Sequence, residues 1–564
     1  MFACIAITAA CGSERRPTRH DAAPVDGPPP VCTGTKSCSS DLHNVLCNGE
    51  VFERCGAGFG CGGNVECVLA CEAAVDNESS LGCEFHVVPP AVAETGAQCF
   101  AAVVANTWDT PISISVTRGN QSFATDQIAR RLEVVGGAPT YVPLTNGRLD
   151  PGEVALVFLA GRYCPAPGTG IYGAAMFETG YGTTFRVVTS APVMAYDIYP
   201  YAGAIYAASS ATLLLPTSTW TGGYVAVDAF RKSRRSSGQP TTAIVAEHDD
   251  THVTMRAPVA IEGGGEVAPT PAGDIATFTL ARGQYVQFVQ DEELTGAAIQ
   301  SDKPIGVWGG ATCLSIDVAE AACDGAHQQI PPIAALGHRY VAARYRSRYP
   351  GVVEDVPWRF VGAVDDTVLT YSPSTPDGAP TTLDAGQLVE LWAAQDFTVA
   401  SQDADHPFYM SAHMTGCEHV MPLSLYPDCR GDPEFINVIP VAQYLDRYTF
   451  FTDPTFPETN LVFVRQRWEG SFVDVSLDCL GTISNWQTID EDTQFAHVDL
   501  VKGNFESVGG CTNGLHHASS SRPFGLTVWG WGNASTPMRT TTNSYAYPAG
   551  ASVRPINTVI PPIL

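Results

Sequence analysis

The chain has 564 residues, of which 31 are lysine or arginine and 58 are aspartate or glutamate, for a formal net charge of -27. So few basic residues offer no cationic surface for a phosphate backbone, which excludes nucleic acid as an expected partner. The 53 glycines and 41 prolines, with almost no helical periodicity among the apolar residues, predict an all-β protein longer than a single domain.

The first eleven residues read MFACIAITAAC, an apolar stretch in which small residues precede a cysteine. The stretch resembles the end of a bacterial lipoprotein signal, which predicts lipidation of Cys11. No lysine or arginine precedes it, so we interpret residues 1–11 as a truncated leader, the alternative being a chance apolar segment. Residues 12–31 are polar and proline-rich and predict a flexible tether. No other segment reaches 18 apolar residues, so we expect contact with a membrane only through the lipid anchor, at the bacterial outer membrane, or secretion.

A dense group of cysteines follows the tether and predicts a small disulfide-rich module at residues 32–83. We expect its eight cysteines to pair among themselves, in an order that the sequence leaves open: Cys32, Cys38, Cys47, Cys55, Cys61, Cys67, Cys71 and Cys83. The alternative is a zinc site formed by Cys61, Cys67 and Cys71 with His43 or His86. The module lacks the close C-x2-C spacing of zinc sites, which favours disulfides and an oxidising compartment.

A unit of roughly a hundred residues then recurs four times. Three copies carry a glycine and a polar residue, followed 20 or 21 residues later by a proline that opens an apolar strand: Gly283 and Pro304, Gly386 and Pro407, Gly503 and Pro523. In the first copy Gly152 and Pro192 stand 40 residues apart, which predicts an insertion. Ahead of each glycine, two apolar runs flank an acidic or polar turn and predict a β-hairpin.

Three prolines, Pro216, Pro331 and Pro440, each lead into a strand and link one copy to the next. Roughly six to eight short strands per copy are typical of a β-sandwich, so the sequence predicts a row of about four related sandwiches after the module. The predicted units cover residues 84–205, with the insertion, 206–325, 326–430 and, with a C-terminal tail, 431–564. The alternative is that the units share strands in fewer and larger sheets.

The cysteines within the repeats divide into four predicted disulfides. Cys313 and Cys323 lie 9 and 19 residues after Pro304, and Cys417 and Cys429 lie 10 and 22 residues after Pro407. This equivalent placement in adjacent units predicts the pairs Cys313–Cys323 and Cys417–Cys429. The cysteines that remain are then predicted to pair as Cys99 with Cys164 and Cys479 with Cys511.

No cofactor and no catalytic centre is predicted, because the sequence lacks a G-x-S-x-G elbow, an H-E-x-x-H motif and a phosphate-binding glycine loop. The acidic turns recur between copies, which favours a structural role, with calcium as the alternative for Asp249, Asp250, Asp365 and Asp366. His413 and His419 flank Cys417 and could bind a metal only if that cysteine were reduced. His516 and His517 are expected in a surface loop.

Aromatic residues gather near the proline strands, and four of them are the candidate ligand contacts: Trp529, Trp531, Trp308 and Tyr196. Their flat rings could stack on sugars or pack against a protein. Alternate positions of a sandwich strand also need large core residues, so a ring that faces inward would belong to the core. Trp529 and Trp531 are two residues apart and share one face, so the exposure of that face decides between the two roles.

Several stretches resemble one known family: SSLGCEFHVVPP at 79–90, CFAAVVANTWDTPISISV from Cys99, SDKPIGVWGGATC and CDGAHQQIPPIAALGHRYV within 301–341, and RPFGLTVWGWG and SYAYPAG within 522–550. They look like the IgGFc-binding protein N-terminal domain family over roughly residues 79–555. Similar proteins include exported, often lipid-anchored proteins of myxobacteria. The resemblance supplies no ligand residues that transfer to this sequence.

Taken together, these features predict an exported cell-surface protein of the binding or adhesion type, without enzymatic activity, whose ligand is a glycan or a protein. Two alternatives are a structural envelope or matrix component without a specific ligand and an extracellular carbohydrate-active enzyme. Any function is expected where the copies differ: in the insertion between Gly152 and Pro192, in the linking loops and in the strand with Trp529 and Trp531.

Overall fold

A computed structural model describes residues 31–92, 98–135, 138–203, 209–232, 238–316, 323–421, 428–533 and 540–563. These residues form an all-β protein with a few short helical segments, which confirms the predicted fold class. The leader and the tether, and with them Cys11, lie outside the described residues, so lipidation stays a prediction. Among the helices that are described, none has the length and apolar character needed to cross a membrane.

The Cys-rich module is a set of short strands around one helix. Its elements are β1 (Lys36–Cys38), β2 (Asn44–Cys47), β3 (Glu50–Arg54), β4 (Phe59–Cys61), β5 (Cys67–Leu69) and α1 (Ala70–Asn77). Its disulfides are Cys32–Cys47, Cys38–Cys61, Cys55–Cys67 and Cys71–Cys83. Because all eight sulfurs are bonded to each other, no thiolate is left for the alternative zinc site. A segment this small buries little apolar surface, so the crosslinks replace a core.

The first two copies of the repeat contain the following elements. Sandwich 1 is formed by β6 (Gly82–Val87), β7 (Phe100–Ala105), β8 (Ile112–Arg118), β9 (Gln121–Phe123), α2 (Thr125–Ile128), β10 (Ala129–Val135), β11 (Ala138–Pro143), β12 (Arg148–Leu149), β13 (Val154–Ala160), β14 (Gly180–Thr183), β15 (Phe185–Tyr199) and β16 (Ser210–Leu213). Sandwich 2 is formed by β17 (Thr221–Val225), β18 (Pro240–Ala246), β19 (Thr251–Arg256), β20 (Ile275–Leu280), β21 (Gln284–Val289), β22 (Ala298–Leu314) and β23 (Asp324–Ile330).

The last two copies follow the same plan. Sandwich 3 is formed by β24 (Arg339–Ala342), β25 (Val356–Gly362), β26 (Thr367–Val368), β27 (Thr370–Ser372), β28 (Thr382–Leu383), β29 (Leu388–Ala393), β30 (Phe397–Ala400), β31 (Phe408–Met414), α3 (Cys417–Val420) and β32 (Glu434–Asn437). Sandwich 4 is formed by β33 (Leu445–Thr452), β34 (Glu458–Trp468), β35 (Ser471–Phe472), β36 (Val475–Leu477), β37 (Gly481–Thr482), β38 (Gln487–Asp490), β39 (Thr493–Lys502), β40 (Glu506–Ser507), β41 (Gly514–Trp531) and β42 (Ser544–Pro548).

One antiparallel sheet has the same strand order in all four sandwiches. The orders are β13-β7-β15-β16, β21-β18-β22-β23, β29-β25-β31-β32 and β39-β34-β41-β42. In each, the strand before the acidic or polar turn lies in the middle, and the last strand of the copy lies at the edge. The repeat read from the sequence is therefore a structural repeat.

The prolines of the predicted strands mark corners where the chain crosses from one layer of a sandwich to the other. In β15, Phe185 to Thr189 pair with β8, whereas Met194 to Ile198 pair with β7. In β41, residues 514–519 pair with β33, whereas 524–531 pair with β34. Pro192 and Pro523 stand at these changes of partner, where the missing N–H costs no ladder hydrogen bond. The prolines thus interrupt long strands rather than open new ones, except in sandwich 3, where β30 and β31 are separate.

The four sandwiches close into a ring rather than a row. Each sandwich contributes one edge strand to the centre of the ring: β16, β23, β32 and β42. Each of these strands packs against the next one, and β42 packs against β16. Gln328 of β23 joins three sandwiches, because its side-chain Nε2 donates to the carbonyl oxygens of Ala211 at 2.8 Å and Ala546 at 3.2 Å. The axis of the ring is therefore a packed polar core.

Two contacts between sandwiches tie the ring together. The first agrees with the alternative that the units share strands in larger sheets. β14, from the insertion of sandwich 1, pairs with β21 of sandwich 2. At the ring closure, Ser80 N–H donates to Ala551 O and Val553 N–H donates to Glu78 O, both at 2.9 Å. The insertion therefore serves as scaffold, because it supplies a strand to its neighbour.

Short 3-10 turns link consecutive sandwiches at Thr217–Thr219, Ile333–Ala335 and Val441–Gln443, each directly after a proline. The edge strands β16, β23 and β32 precede these turns and pair with β15, β22 and β31. The divisions predicted at 205/206, 325/326 and 430/431 fall before or inside these edge strands. Hydrogen bonding thus assigns each edge strand to the sandwich before it.

The C-terminal tail, residues 554–563, runs over sandwiches 2 and 3 as an extended segment without ladder pairing. Ile556 N–H donates to Ala334 O at 2.8 Å, and Asn557 Nδ2 donates to the carbonyls of Ile333 and Leu336. The tail is thereby held by the link turn between these two sandwiches.

Candidate functional site

The predicted aromatic contacts are buried in the core. Trp529, Trp531, Trp308 and Tyr196 are at most 3 % exposed. Trp529 packs on Tyr345 of sandwich 3 with ring centroids 4.8 Å apart, and Tyr196 packs on Tyr547 of sandwich 4 at 4.6 Å. The prediction that these rings contact a ligand is therefore wrong. Each of these aromatic side chains faces a neighbouring sandwich. There its large apolar area stabilises the packing of the sandwiches against one another.

The acidic turns are structural in geometry. The carboxylate of Asp249 accepts the N–H of Arg282 at 2.9 Å, and that of Asp365 accepts the N–H of Ala385 at 3.0 Å. Asp250 and Asp366 adopt positive φ angles of 52° and 56°, which the turn requires. The two turns belong to different sandwiches. Their carboxylates therefore hold the neighbouring glycine turns, and the structure brings no shared calcium site together from them.

The cysteines of the sandwiches form the disulfides Cys99–Cys164, Cys313–Cys323, Cys417–Cys429 and Cys479–Cys511. Two groups of potential metal ligands occur among the described residues, Cys417 with Cys429 and Asp432, and Asp478 with Cys479 and His516. Both contain a cysteine that is disulfide-bonded, so neither offers a thiolate. His413 is buried, and burial lowers its pKa to about 4, so it is a neutral core residue.

A group of residue types known from hydrolases lies near the ring axis. His327 Nε2 contacts the carboxylate of Asp197, and Ser210 stands beside them. Ser210 Oγ accepts the backbone N–H of His327 at 3.2 Å, so the serine is not aligned with the imidazole. All three residues are at most 5 % exposed. The arrangement does not have the geometry or the access of a catalytic triad.

A groove opens where sandwich 4 meets sandwich 1, beneath the Cys-rich module. It contains a cavity of about 310 Å³, in the range of sites for small ligands or peptide segments. We call it the 4–1 groove, and its lining comes from the module (Ser40, Asp41, His43), from sandwich 1 (Asn106, Thr107, Gly152, Met194), from sandwich 4 (Leu445, Arg447, Tyr448, Thr449, His517, Ala518, Ser519) and from the closing segments (Ser79, Leu81, Ala549, Gly550).

The floor of the 4–1 groove is apolar and its rim is polar. Alternate residues of β33, namely Leu445, Arg447 and Thr449, line it because side chains two apart share one face of a strand. Arg447 forms an ion pair with Asp41 at 3.5 Å, and Ser40 Oγ donates to the carboxylate of Asp446. These contacts dock the module on sandwich 4. The side chain of Arg447 is 58 % exposed, so its pair with Asp41 lies at the open rim of the groove.

Two histidines stand on opposite sides of the groove. His43 of the module packs on Trp108 of sandwich 1, with ring centroids 4.3 Å apart. His517 of β41 lies with its Nδ1 2.9 Å from Thr449 Oγ1. Burial lowers the pKa of His517; the Asp478 carboxylate opposes this shift, and His516 and Arg447 add to it, so the pKa lies below its usual value and the imidazole is neutral near pH 7. Contrary to the sequence prediction, His517 lies in a strand rather than in a surface loop.

The groove continues along the same seam into a second cavity of about 280 Å³, which shares Gly152 with the first. Its lining includes Arg131 and Glu153 of sandwich 1 and Phe451 and His516 of sandwich 4. Arg131 pairs with Glu153 at 2.6 Å, and His516 Nδ1 lies 3.0 Å from Asp478. The seam thus offers an elongated surface on which these charged side chains form ion pairs with one another.

The region of the repeats also matches a family. Residues 210–530, more than half of the chain, match the sequence model of a family described as IgGFc binding protein. The chain belongs to the IgGFc-binding protein family. The match confirms the resemblance seen in the sequence, and a comparison with curated proteins finds no match.

In this chain the matched region begins at Ser210, the first residue of β16, and ends at Gly530 within β41. It therefore contains the wall of the 4–1 groove formed by Arg447, Thr449 and His517. The opposite wall and the module lie before it. Sequence reasoning missed these groove residues because polar residues at alternate strand positions are also typical of a solvated sheet face.

Proposed function

We propose that this member of the IgGFc-binding family is an exported, non-enzymatic binding protein that captures a partner protein in the 4–1 groove. The observation that carries the proposal is the groove itself, an apolar floor with a polar rim at a junction of three folded parts. Binding sites favour such junctions, because several elements can contribute contacts there. The family is described as one that binds a protein, which favours a protein over a glycan as the ligand.

The compartment follows from the sulfur chemistry. Eight disulfides join cysteines in the described part of the chain, which requires an oxidising environment such as the cell exterior. Attachment to the outer membrane through Cys11, and a role in adhesion at the cell surface, are parts of the proposal that rest on the leader sequence. We further propose that the link turns separate the units of the platform.

A glycan ligand is less favoured by the side chains of the groove. Sugar binding commonly uses an exposed aromatic ring as a stacking surface. The rings that line or border the 4–1 groove, Tyr448 and Trp108, are each 2 % exposed, and one face of His43 packs on Trp108. The groove therefore offers side-chain hydrogen bonds and aliphatic surface, which suit a polypeptide.

The test compares capture by the oxidised full chain from two separate fractions, envelope proteins and envelope polysaccharides. Ser519→Trp fills the groove from an exposed strand position, and Thr277→Trp places a tryptophan on the exposed face of β20, away from the groove. We expect protein to be retained by the wild type and by Thr277→Trp, with about tenfold less retained by Ser519→Trp.

Three results would contradict the proposal. Equal retention by both variants would place binding elsewhere on the chain. Retention of polysaccharide alone would favour the glycan ligand. Concentration-dependent polymers in sedimentation, with no retained partner, would favour the structural envelope component.

A further inference from the structure

Among the described residues, two seam cavities of the ring have equivalent walls, and the C-terminal tail borders one of them. Between sandwiches 2 and 3, a cavity of about 400 Å³ is lined by Gly362 and Gly386 of sandwich 3 and by Pro561 and Pro562 of the tail. Between sandwiches 4 and 1, Asn106 and Gly152 of sandwich 1 take the corresponding places in the 4–1 groove.

The equivalence of these walls rests on hydrogen bonds. Gly386 N–H donates to Gly362 O, and Gly152 N–H donates to Asn106 O, both at 2.9 Å. In each case the glycine is the marker of the repeat and adopts a positive φ, 72° for Gly386 and 75° for Gly152. The same hairpin geometry therefore faces both seams. The two seams differ in what covers them, the tail in one and the Cys-rich module in the other.

The tail shows how a seam of this ring holds a polypeptide. Residues 557, 559, 561 and 563 are buried or half-buried, whereas 558, 560 and 562 are exposed, which is the alternation of an extended chain. Gln300 Nε2 donates to Pro561 O at 2.6 Å, and Asn557 donates to two carbonyls of the link turn. No charged side chain of the tail after Arg554 takes part, because the sequence PINTVIPPI contains none.

We infer that the 4–1 groove takes an extended, uncharged segment of a partner protein, with apolar side chains or proline at every second position. This inference rests on the proposed function and specifies the partner's chemistry. The floor residues Leu81, Met194, Leu445 and Ala549 receive the inward apolar side chains. Thr449 and Ser519 on the rim offer hydroxyl groups to the backbone of the segment, which an extended peptide leaves unpaired.

Charge in the groove supports an uncharged segment. Arg447 already pairs with Asp41, and in the second cavity Arg131 already pairs with both Glu133 and Glu153. A charged ligand side chain would have to compete with these ion pairs for its partner. The net charge of -27 would in addition repel an acidic segment at long range.

The experiment uses a random library of linear dodecapeptides displayed on phage, selected on the immobilised full chain. Selected peptides are then synthesised with a fluorophore, and their affinity is measured by anisotropy for the wild type, Ser519→Trp and Thr277→Trp. We expect selected peptides to carry apolar residues or proline at alternate positions and few charges. Their affinity should fall about tenfold or more with Ser519→Trp and remain unchanged with Thr277→Trp.

The outcomes separate this inference from the proposed function. Peptides without the alternating pattern, or with equal affinity for both variants, would overturn the inference. If no linear peptide is selected while an envelope protein is still captured in a manner that Ser519→Trp weakens, the groove binds a folded surface and only the inference fails. If neither a peptide nor an envelope protein responds to Ser519→Trp, the proposed function fails with it.

Discussion

Gln328 in sandwich 2 donates its side-chain amide to the carbonyl oxygen of Ala546 in sandwich 4, 3.2 Å away across the axis of the ring. The same amide nitrogen donates to Ala211 of sandwich 1 at 2.8 Å. One side chain thereby pairs backbone groups of two sandwiches that are far from it in sequence. The edge strands need such partners, because their outer backbone groups face protein rather than water.

Replacing Gln328 should destabilise the whole platform. Gln328→Leu keeps a similar volume but leaves two buried carbonyls without a donor, at a cost of about 2 kcal/mol or more in the free energy of unfolding. The measurement is the midpoint of urea unfolding. Gln487→Leu on the exposed face of β38 is the control and should change that free energy by less than about 0.5 kcal/mol. Equal midpoints for both variants would show that the axis does not depend on this amide.

A single methyl group at Gly309 should be poorly tolerated. A Cβ at this position in β22 would lie 1.5 Å from the carbonyl oxygen of Val227, so the backbone of one of the two segments has to move. We expect Gly309→Ala to lower the free energy of unfolding by about 3 kcal/mol or more. In Gly180→Ala on β14 the added Cβ meets nothing within 4 Å, so its unfolding midpoint should match the wild type. The opposite ranking of the two variants would contradict the packing described for β22.

The sequence predicts the local parts of this fold well, because those parts repeat. The acidic turn at Asp365 and the glycine turn at Gly386 stand out by comparison between copies, and both are turns in the structure. The closure of the ring is not predictable in this way. It depends on contacts such as that of Gln328 with Ala546, whose partners are 218 residues apart and follow no shared pattern.

The candidate site was harder to predict for a related physical reason. Alternation along a strand identifies two faces but does not say which face a neighbour will cover. Trp529 faces Tyr345 of another sandwich and is core, whereas Arg447 and Thr449 face an open seam. Both patterns are regular in the sequence. Only the arrangement of the sandwiches separates a core face from a binding face.

The Cys71–Cys83 disulfide should hold the module over the groove. It joins α1 to β6, and the double change Cys71→Ser and Cys83→Ser should lower the stability of the module by about 3 kcal/mol. We expect limited proteolysis to cut within residues 32–81 while the platform remains intact. The control removes Cys313 and Cys323 in the same way, which should leave the module resistant. Resistance of the module in both variants would mean that its noncovalent contacts suffice.

Stability should decrease as the pH rises toward neutral, because buried carboxyl groups are held protonated. Burial raises the pKa of Asp228, and separately that of Asp432, from the usual value near 3.8 to about 7. The folded state then holds protons that the unfolded chain releases above about pH 4. Each group's contribution is complete below that pH and is lost as the pH rises to about 7, at up to about 1.4 kcal/mol per pH unit.

The measurement is the unfolding midpoint between pH 4 and pH 8, for the wild type and for Asp228→Asn. The asparagine resembles the protonated acid, since its oxygen can accept the N–H of Leu294 while its amide faces Thr242. We expect a smaller decrease with pH in this variant. An identical pH dependence would show that Asp228 is ionised in the folded protein.

The pairing of residues 78–80 with 551–553 has a consequence for how the protein is made. The first sandwich leaves the ribosome long before the segment that completes its seam, residues 551–553, has been translated. The backbone groups of Glu78 and Ser80 remain unmatched until Ala551 and Val553 have been translated. Truncation near the C-terminus would therefore damage the part of the chain that was made first.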